Sequence, residues 1–496
     1  MHKPPLPAFA AAPVAVTVAV LAGVLTVLSG RYGFHRDELY FLVAGDHPAW
    51  GYVDQPPLTP LIAKAATALF GDTPMGLRVA ATLGSVATVV LVVALARELG
   101  AARRGQVIAA CCAVASAFVL VLGHMVATAS FDLLVWLGIC WLALRLLRTG
   151  DGRWWVPLGA AVGIGILNKY LVLLLVLALL FALVVTGPRR VLRSWWLPAG
   201  VAVALVLAGP SLWWQASHGW PQLTVAGGIS ADDGVENRVL FVPLQVVQLS
   251  PLLVPVWVAG FVRLWCDPGL RWARAVALAY PLLCAAVLLI GGKPYYALPL
   301  LVVLMAAGSE SVAGWTRRGR RAPRSWAVGS ALAVAVGISA VAALPVLPAG
   351  DLSVVNAVNQ EQGEQVGWPA LAEATATGWA EIPQRASDRA VIFTQNYGEA
   401  GAITRYGPRH GLPAPYSGHM SFADWGPPPD SAVGPVLLVH PADDRDLERH
   451  FTDCRRVALV DNGEDVANEE QDAAIVLCAG TSAPWSALWP TLRHFY

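Results

Sequence analysis

For roughly its first 350 residues the chain alternates between long apolar runs and short polar connections. A helix needs about 20 apolar residues to cross a bilayer, with a range of roughly 17–25. Eleven runs meet or approach that length: Ala8–Leu28, Leu77–Ala96, Val107–Gly123, Val126–Leu144, Trp155–Leu167, Leu171–Thr186, Trp195–Ala216, Val239–Val262, Trp272–Ile290, Tyr295–Ala313 and Trp326–Leu347. The fifth and sixth are short, as tilted or re-entrant helices are, so the count carries a latitude of one or two. From about Asp351 onward the pattern changes and no segment is apolar enough to span. There RAVIFTQ, GPVLLVH and AAIVLCA read as buried strands, and GEAGAITRYG and DRDLERHF as helices that follow strands. The pattern predicts a polytopic α-helical membrane protein with about 11 transmembrane helices and a small C-terminal α/β domain, divided into residues 1–349 and 350–496.

Composition supports the same division. Of the 496 residues 56% are hydrophobic and 14% charged, against roughly 25% charged in soluble domains. The net charge of +1 gives no reason to expect a nucleic-acid partner. Arginines cluster after the second, fourth, sixth, eighth and tenth runs, ending in RRGRRAPR, so every second loop is basic. The positive-inside rule makes those loops cytoplasmic. The N-terminus is then inside, and the loop 31–76, the Asn168–Lys169 junction, the Gly291–Pro294 turn and the C-terminal domain lie outside, at the cell membrane. Cys111, Cys112, Cys140 and Cys284 sit in apolar runs as small hydrophobes. In an exported tail Cys454 and Cys478 are expected to pair as a disulfide.

The first outward loop carries the chemistry: HRDELYFLVAGDHPAWGYVDQPPLTPLIAK, from His35 to Lys64. Carboxylates at a membrane surface are costly unless solvated or used. Asp46 reads as a solvated acid. Asp37 and Glu38 sit in DELYFLVAG, which reads as a short amphipathic helix in the interface. Adjacent helical residues point about 100° apart, so only one of the two faces a given cavity. Asp54 precedes Gln55 and a Pro-Pro pair that stops a helix from running through it. Three further outward segments stand out. Asp132, near the outer, N-terminal end of the fourth run, is either a macrodipole-favoured acid or a site residue. Lys169 in GILNKY breaks two short runs, which is tolerated only where backbone is buried in protein or lines a cavity. Lys293, Tyr295 and Tyr296 occur in GKPYYALP, where the lysine either snorkels or binds an anion. In the tail, Asn396, Tyr397, Glu399, His419 and Trp425 fall on strand-end loops, with packing or acceptor-facing roles. His218 and Trp220 end an aromatic-rich helix, where interface anchoring is the default.

The order DEL…GYVDQPPLTPLI over about thirty residues resembles the first extracytoplasmic loop of the GT-C glycosyltransferases that use polyprenyl-phosphate sugars, among them the protein O-mannosyltransferases and lipid A aminoarabinose transferases. The resemblance weakens toward residue 300 and does not cover the tail. It implies a GT-C fold and an inverting transfer of a mannose- or arabinose-type sugar from a polyprenyl-phosphate donor to a hydroxyl of an acceptor outside the cytoplasm, whether protein, glycolipid or wall polymer. It further implies that Asp37 acts as general base, with Glu38 and Asp54 holding the base or positioning the acceptor, and that Asp54, Gln55, Asp132, Lys169, Lys293, Tyr295 and Tyr296 bind substrate. Arg36 and Arg78 are further outward cations. No metal ligand set is expected, although a divalent ion is compatible with the acids. The alternatives are a flippase of lipid-linked sugars, which would be expected to show repeat symmetry that this chain lacks, and an inactive binding subunit. Asp444-Arg445-Asp446 reads as a solvated face, and no P-loop, GxGxxG, HExxH or paired CxxC motif occurs.

Overall fold

The computed structural model of the chain describes residues 5–318, 321–441 and 446–496. Gly319 and Arg320 of the basic loop, and Asp444 and Arg445 of the Asp-Arg-Asp triplet, lie outside the described residues. The chain packs as two compact units. The first holds Met1–Ser29, Gln55–Thr59 and Arg78–Leu344; the second holds Gly30–Asp54, Pro60–Leu77 and Pro345–Tyr496. Most of the first polar loop thus packs with the C-terminal residues, a grouping that a linear division at residue 349 does not contain.

Among the described residues of the first unit, seven helices are long and apolar enough to cross a bilayer, and nine spans result if each of two bent pairs counts as one. The eleven expected runs are all helical, but two are too short to pass. Trp155–Asn168 has 14 residues and Val172–Thr186 has 15, about 21 and 22 Å at 1.5 Å per residue, against a hydrocarbon core of about 30 Å. The bent pairs are Arg103–Val114 with Ala117–His124, at 61°, and Gly234–Val247 with Pro251–Cys266, at 70°. Their breaks satisfy each other. The Ala117 and Phe118 amides, freed at the first break, donate to the carbonyls of Leu249 and Gln248 at the second (3.1 and 2.9 Å). The Ser339 hydroxyl donates to the Ala115 carbonyl at 2.8 Å. Backbone groups that would be orphaned in an apolar medium are therefore paired across helices. Close packing anchors the last helices: a Cβ on Gly308 would lie 1.8 Å from the Val256 carbonyl oxygen, so only glycine lets Leu298–Arg317 approach Val254–Cys266 at that distance.

The second unit is built on a sheet. Its strands are β1 (Val391–Thr394), β2 (Tyr416–Ser417), β3 (Val436–His440), β4 (Phe451–Thr452), β5 (Arg455–Leu459), β6 (Ala474–Cys478) and β7 (Gly480–Thr481). The main sheet has the order β2-β1-β3-β6-β5, and β4 and β7 form a separate ribbon. β1 runs parallel to β2 and β3, whereas β6 is antiparallel to β3 and β5. Residues of β1 and β3 are buried along their whole length, because both faces are covered, which is why they read as continuous apolar runs. One face packs Phe393, Leu438 and Val476 against Trp485 and Trp489 of the Trp485–Leu492 helix. On the other, Gly378 of the Trp368–Ala380 helix sits against Leu437 and Ile475. A disulfide joins Cys454 to Cys478 and ties the start of β5 to the end of β6. Of the two helices expected in the tail, Tyr397–Tyr406 forms, and Asp446–His450 makes only a short tight turn.

Candidate active site

In the first unit, the break after Trp155–Asn168 is fixed by the buried Asn168 side chain. Its Oδ1 accepts from the Thr59 hydroxyl at 2.9 Å and its Nδ2 donates to the Thr128 carbonyl at 2.9 Å. Lys169 follows in extended backbone and projects onto two tyrosines. Its Nζ lies 5.3 and 5.0 Å from the ring centroids of Tyr295 and Tyr296 and 3.4 Å from the Tyr295 hydroxyl. The two rings meet edge to face at 4.9 Å. Their turn, Pro294–Ala297, is held by Gln245 Nε2 on the Pro294 carbonyl (2.7 Å) and by Asn237 Nδ2 on the Gly291 carbonyl (3.0 Å). Cation–π contacts of this kind contribute about 0.5–2 kcal/mol, so the rings hold the ammonium in place while leaving its charge available to an anion.

The other residues expected to bind substrate have different partners. Lys293 is paired with Asp233. Asp132 is buried, its Oδ1 lacks a hydrogen-bond partner among the described residues, and it lies within electrostatic reach of Lys169. Gln55 is 1% exposed and neither polar atom of its amide has a partner among the described residues. A buried polar group left unmatched costs about 1–3 kcal/mol, so this amide invites a ligand. Arg78 is fully buried and donates to the Ser29 carbonyl at 2.7 Å, which gives it a packing role.

In the second unit, the Arg36–Asp46 helix begins at His35. The ring Nδ1 accepts from the Asp37 amide (3.1 Å), and the Glu38 carboxylate accepts from the His35 amide (2.9 Å). Glu38 is fully buried in this cap, so its oxygen closes the helix start. Seven of the 11 helix residues are buried. The helix is therefore packed into protein on most sides. Asp37, on another side of the helix, accepts from the Tyr397 hydroxyl at 2.8 Å. Asp54 accepts from the Tyr40 hydroxyl at 2.6 Å, and the Tyr40 and Tyr397 rings are 5.0 Å apart. Burial, then the Asp37 charge, push the Tyr397 hydroxyl well above the usual phenol range, and burial with the Asp54 charge does the same to Tyr40. Both phenols stay protonated as donors.

Arg36 is not free to bind a phosphate. Its guanidinium pairs with Glu469 at 2.9 Å and approaches Glu364 at 3.8 Å. Glu364, Glu469 and Glu470 each bring a carboxylate oxygen within 4.8 Å of the others, which makes them the metal-capable group among the described residues, with Arg36 as a built-in counter-charge. Asn396 links a further acid to this group: its amide donates to Glu399 at 3.0 Å and its Nδ2 to Glu470 at 3.1 Å. Asp46 is exposed and pairs with Lys64. His47 stacks on Trp425 at 4.4 Å, and Trp214 on His218 at 4.0 Å.

The chain resembles proteins of known structure over nearly all its length. ArnT from Cupriavidus metallidurans bound to undecaprenyl phosphate superposes with a TM-score of 0.59 at 17% identity, covering 93% of this chain and 97% of that one. The apo form of the same ArnT gives 0.53 at 15% identity, over 94% and 97%. The mycobacterial arabinofuranosyltransferase AftD gives 0.51 at 14% identity, over 95% of this chain and 41% of the other. The chain has the GT-C fold. Residues 54–214, about a third of the chain, match the sequence profile described as dolichyl-phosphate-mannose-protein mannosyltransferase. No curated protein matches the sequence. A GT-C fold with several apolar helices makes this a multi-pass membrane protein.

Within the GT-C fold, the profile match begins at Asp54 and includes Gln55, Asp132 and Lys169. Asp37, Tyr295 and Tyr296 lie outside it. Sequence reasoning did not assign Tyr397 to Asp37, nor Asn168 to the Lys169 break. The Asn396-x-x-Glu399 spacing is a capping-box signal for a helix start, and it would have placed Tyr397 at a helix N-terminus.

Proposed function

We propose that the chain is an integral membrane glycosyltransferase that moves a sugar of mannose or arabinose type from a polyprenyl-phosphate donor to a hydroxyl of an extracytoplasmic acceptor. The observation that carries this reading is Lys169 held between Tyr295 and Tyr296 at a helix break. This is an oriented cation in a protein of GT-C fold, one of whose structural neighbours binds undecaprenyl phosphate. The basic alternate loops support an inside N-terminus and outside placement of the Lys169 break and the second unit. Outside the cytoplasm nucleotide sugars are absent, so the sugar arrives activated on a lipid.

The acceptor oxygen attacks the anomeric carbon, its proton passes to Asp37, and the bond to the phosphate oxygen breaks with its electron pair leaving on the phosphate. A single displacement inverts the anomeric centre. The phosphate is a stable anion, so it needs positive charge more than a proton; Lys169 supplies it, with Lys293 released from Asp233. The acceptor hydroxyl has a high pKa and needs a base within about 2.6–3.2 Å of its proton, which is the role of Asp37. Asp54, oriented by Tyr40, and the unmatched amide of Gln55 hold sugar or acceptor hydroxyls, and Asp132 balances Lys169. Glu38 supports the base by capping its helix.

The test is Asp37→Asn in purified protein given a panel of radiolabelled polyprenyl-phosphate sugars. Transfer is expected to fall at least a thousandfold with the unfolding temperature unchanged. Full activity in that variant removes the assigned base and with it this mechanism.

A further inference from the structure

The C-terminal residues are built to touch Asp37. The helix Tyr397–Tyr406 packs on Arg36–Asp46 through two glycines. A Cβ on Gly401 would lie 2.9 Å from Leu39 Cβ, and one on Gly398 would lie 3.2 Å from Arg36 Cβ. A Cβ at Gly401 would force something to shift, and one at Gly398 would need its neighbours to give by a few tenths of an ångström. The start of the second helix is fixed as well. The Asn396 side chain accepts from the Glu399 amide at 2.9 Å while the Glu399 carboxylate accepts from the Asn396 amide at 3.0 Å. This capping box makes Tyr397 the first helical residue. Its ring lies beside Tyr40 and His419, each with centroids 5.0 Å away. Cap, glycine contact and flanking rings surround the phenol, and its hydroxyl ends 2.8 Å from Asp37 Oδ1.

We propose that Tyr397 is a positioning residue for the transfer reaction: by donating to Asp37 Oδ1 it fixes the carboxylate rotamer and leaves Oδ2 as the oxygen that takes the acceptor proton. This rests on the assignment of Asp37 as base. It makes the C-terminal residues a working part of the catalytic apparatus. A carboxylate on an outward-facing side chain samples several rotamers. Confining it to one keeps the base aligned with the hydroxyl, and a misplacement of about 1 Å costs on the order of 10²-fold in rate. The charged groups facing Tyr397 are Asp37, Arg36 and Asp54. Burial and the two carboxylates hold the phenol protonated, so it serves as a hydrogen-bond donor and not as a second base.

The experiment compares wild type, Tyr397→Phe, Gly401→Ala and Asp37→Asn in detergent-purified full-length protein, with kcat, both KM values and the unfolding temperature measured for each. Tyr397→Phe removes only the hydroxyl. It is expected to lower kcat about tenfold to a hundredfold, with donor and acceptor KM within twofold of wild type and an unfolding temperature within a few degrees. Gly401→Ala keeps the hydroxyl but displaces the helix that carries it, and the same fall in kcat at unchanged KM is expected. An inactive Asp37→Asn together with a wild-type kcat in Tyr397→Phe overturns this proposal and leaves the base assignment standing. An active Asp37→Asn overturns both. A Tyr397→Phe effect confined to KM or to unfolding temperature also overturns the positioning role.

Discussion

Lys169 shows how surroundings set what a single side chain can do. A lysine at a membrane surface is by default a snorkelling side chain with its head in water. Here Asn168 pins the backbone before it, and two aromatic rings from a turn more than a hundred residues later hold its ammonium. The three groups were legible as candidates because a lysine at a helix break and a Lys-Pro-Tyr-Tyr turn are each anomalous in apolar sequence. Their meeting was not legible, since nothing in either segment encodes the other. Lys169→Ala is expected to raise the donor KM about tenfold or more with the acceptor KM little changed, because it would remove the proposed charge–phosphate contact, of about 1.5–3 kcal/mol. Initial rates with donor and acceptor varied separately give the answer. An equal rise in both KM values would reassign the lysine to general packing.

At the scale of elements, hydrophobicity located the long apolar helices but neither their geometry nor the shorter apolar helix Leu58–Phe70. Apolar content reports that a run is buried in lipid or protein; it is silent on where the run bends. The break at Ser250-Pro251 carries a proline, a visible signal. The one at Ala115-Ser116 has none, and it is stabilised by carbonyls from the other break and by the Ser339 hydroxyl. The basic loops read as topology signals also pack. Arg145 bonds Glu98 at 2.8 Å and Arg148 pairs with the same carboxylate, which is 1% exposed. This joins the ends of the Pro74–Glu98 and Thr128–Thr149 helices, with the arginines where the macrodipole favours cations. Glu98→Gln leaves two arginines around a neutral group, and loss of one partner from a buried pair costs about 3–5 kcal/mol. Thermal unfolding in detergent should show a clear fall for Glu98→Gln, whereas Arg153→Gln, in a neighbouring turn, should change little. Equal stability of the two variants would mean that Glu98 is solvated rather than structural.

For the whole molecule, the second unit gathers Glu364, Glu399, Glu469 and Glu470 from segments far apart in sequence, with one arginine among them. None of these acids was singled out as a group by the sequence, because charge spacing along a chain says nothing of convergence in space. Burial first, then the charges of Glu364 and Glu469, push the Glu470 carboxyl up to about 8, and burial raises Glu364 and Glu399 as well. An acid whose pKa is higher folded than unfolded binds more protons in the native state. Its contribution to stability is present below the unfolded value of about 4.3 and is lost as pH rises through the folded one. The second unit should therefore be more stable at pH 5–6 than at pH 8–9, the reverse of the usual acid weakening by paired carboxylates. Glu470→Gln, which fixes the neutral form, should flatten that slope and raise the unfolding temperature at pH 8 relative to wild type. Calorimetric scans of both proteins across pH 5–9 decide it. A wild-type transition that strengthens steadily toward pH 9 would show that Arg36 alone compensates the cluster, and the four acids would then be charged in the native state.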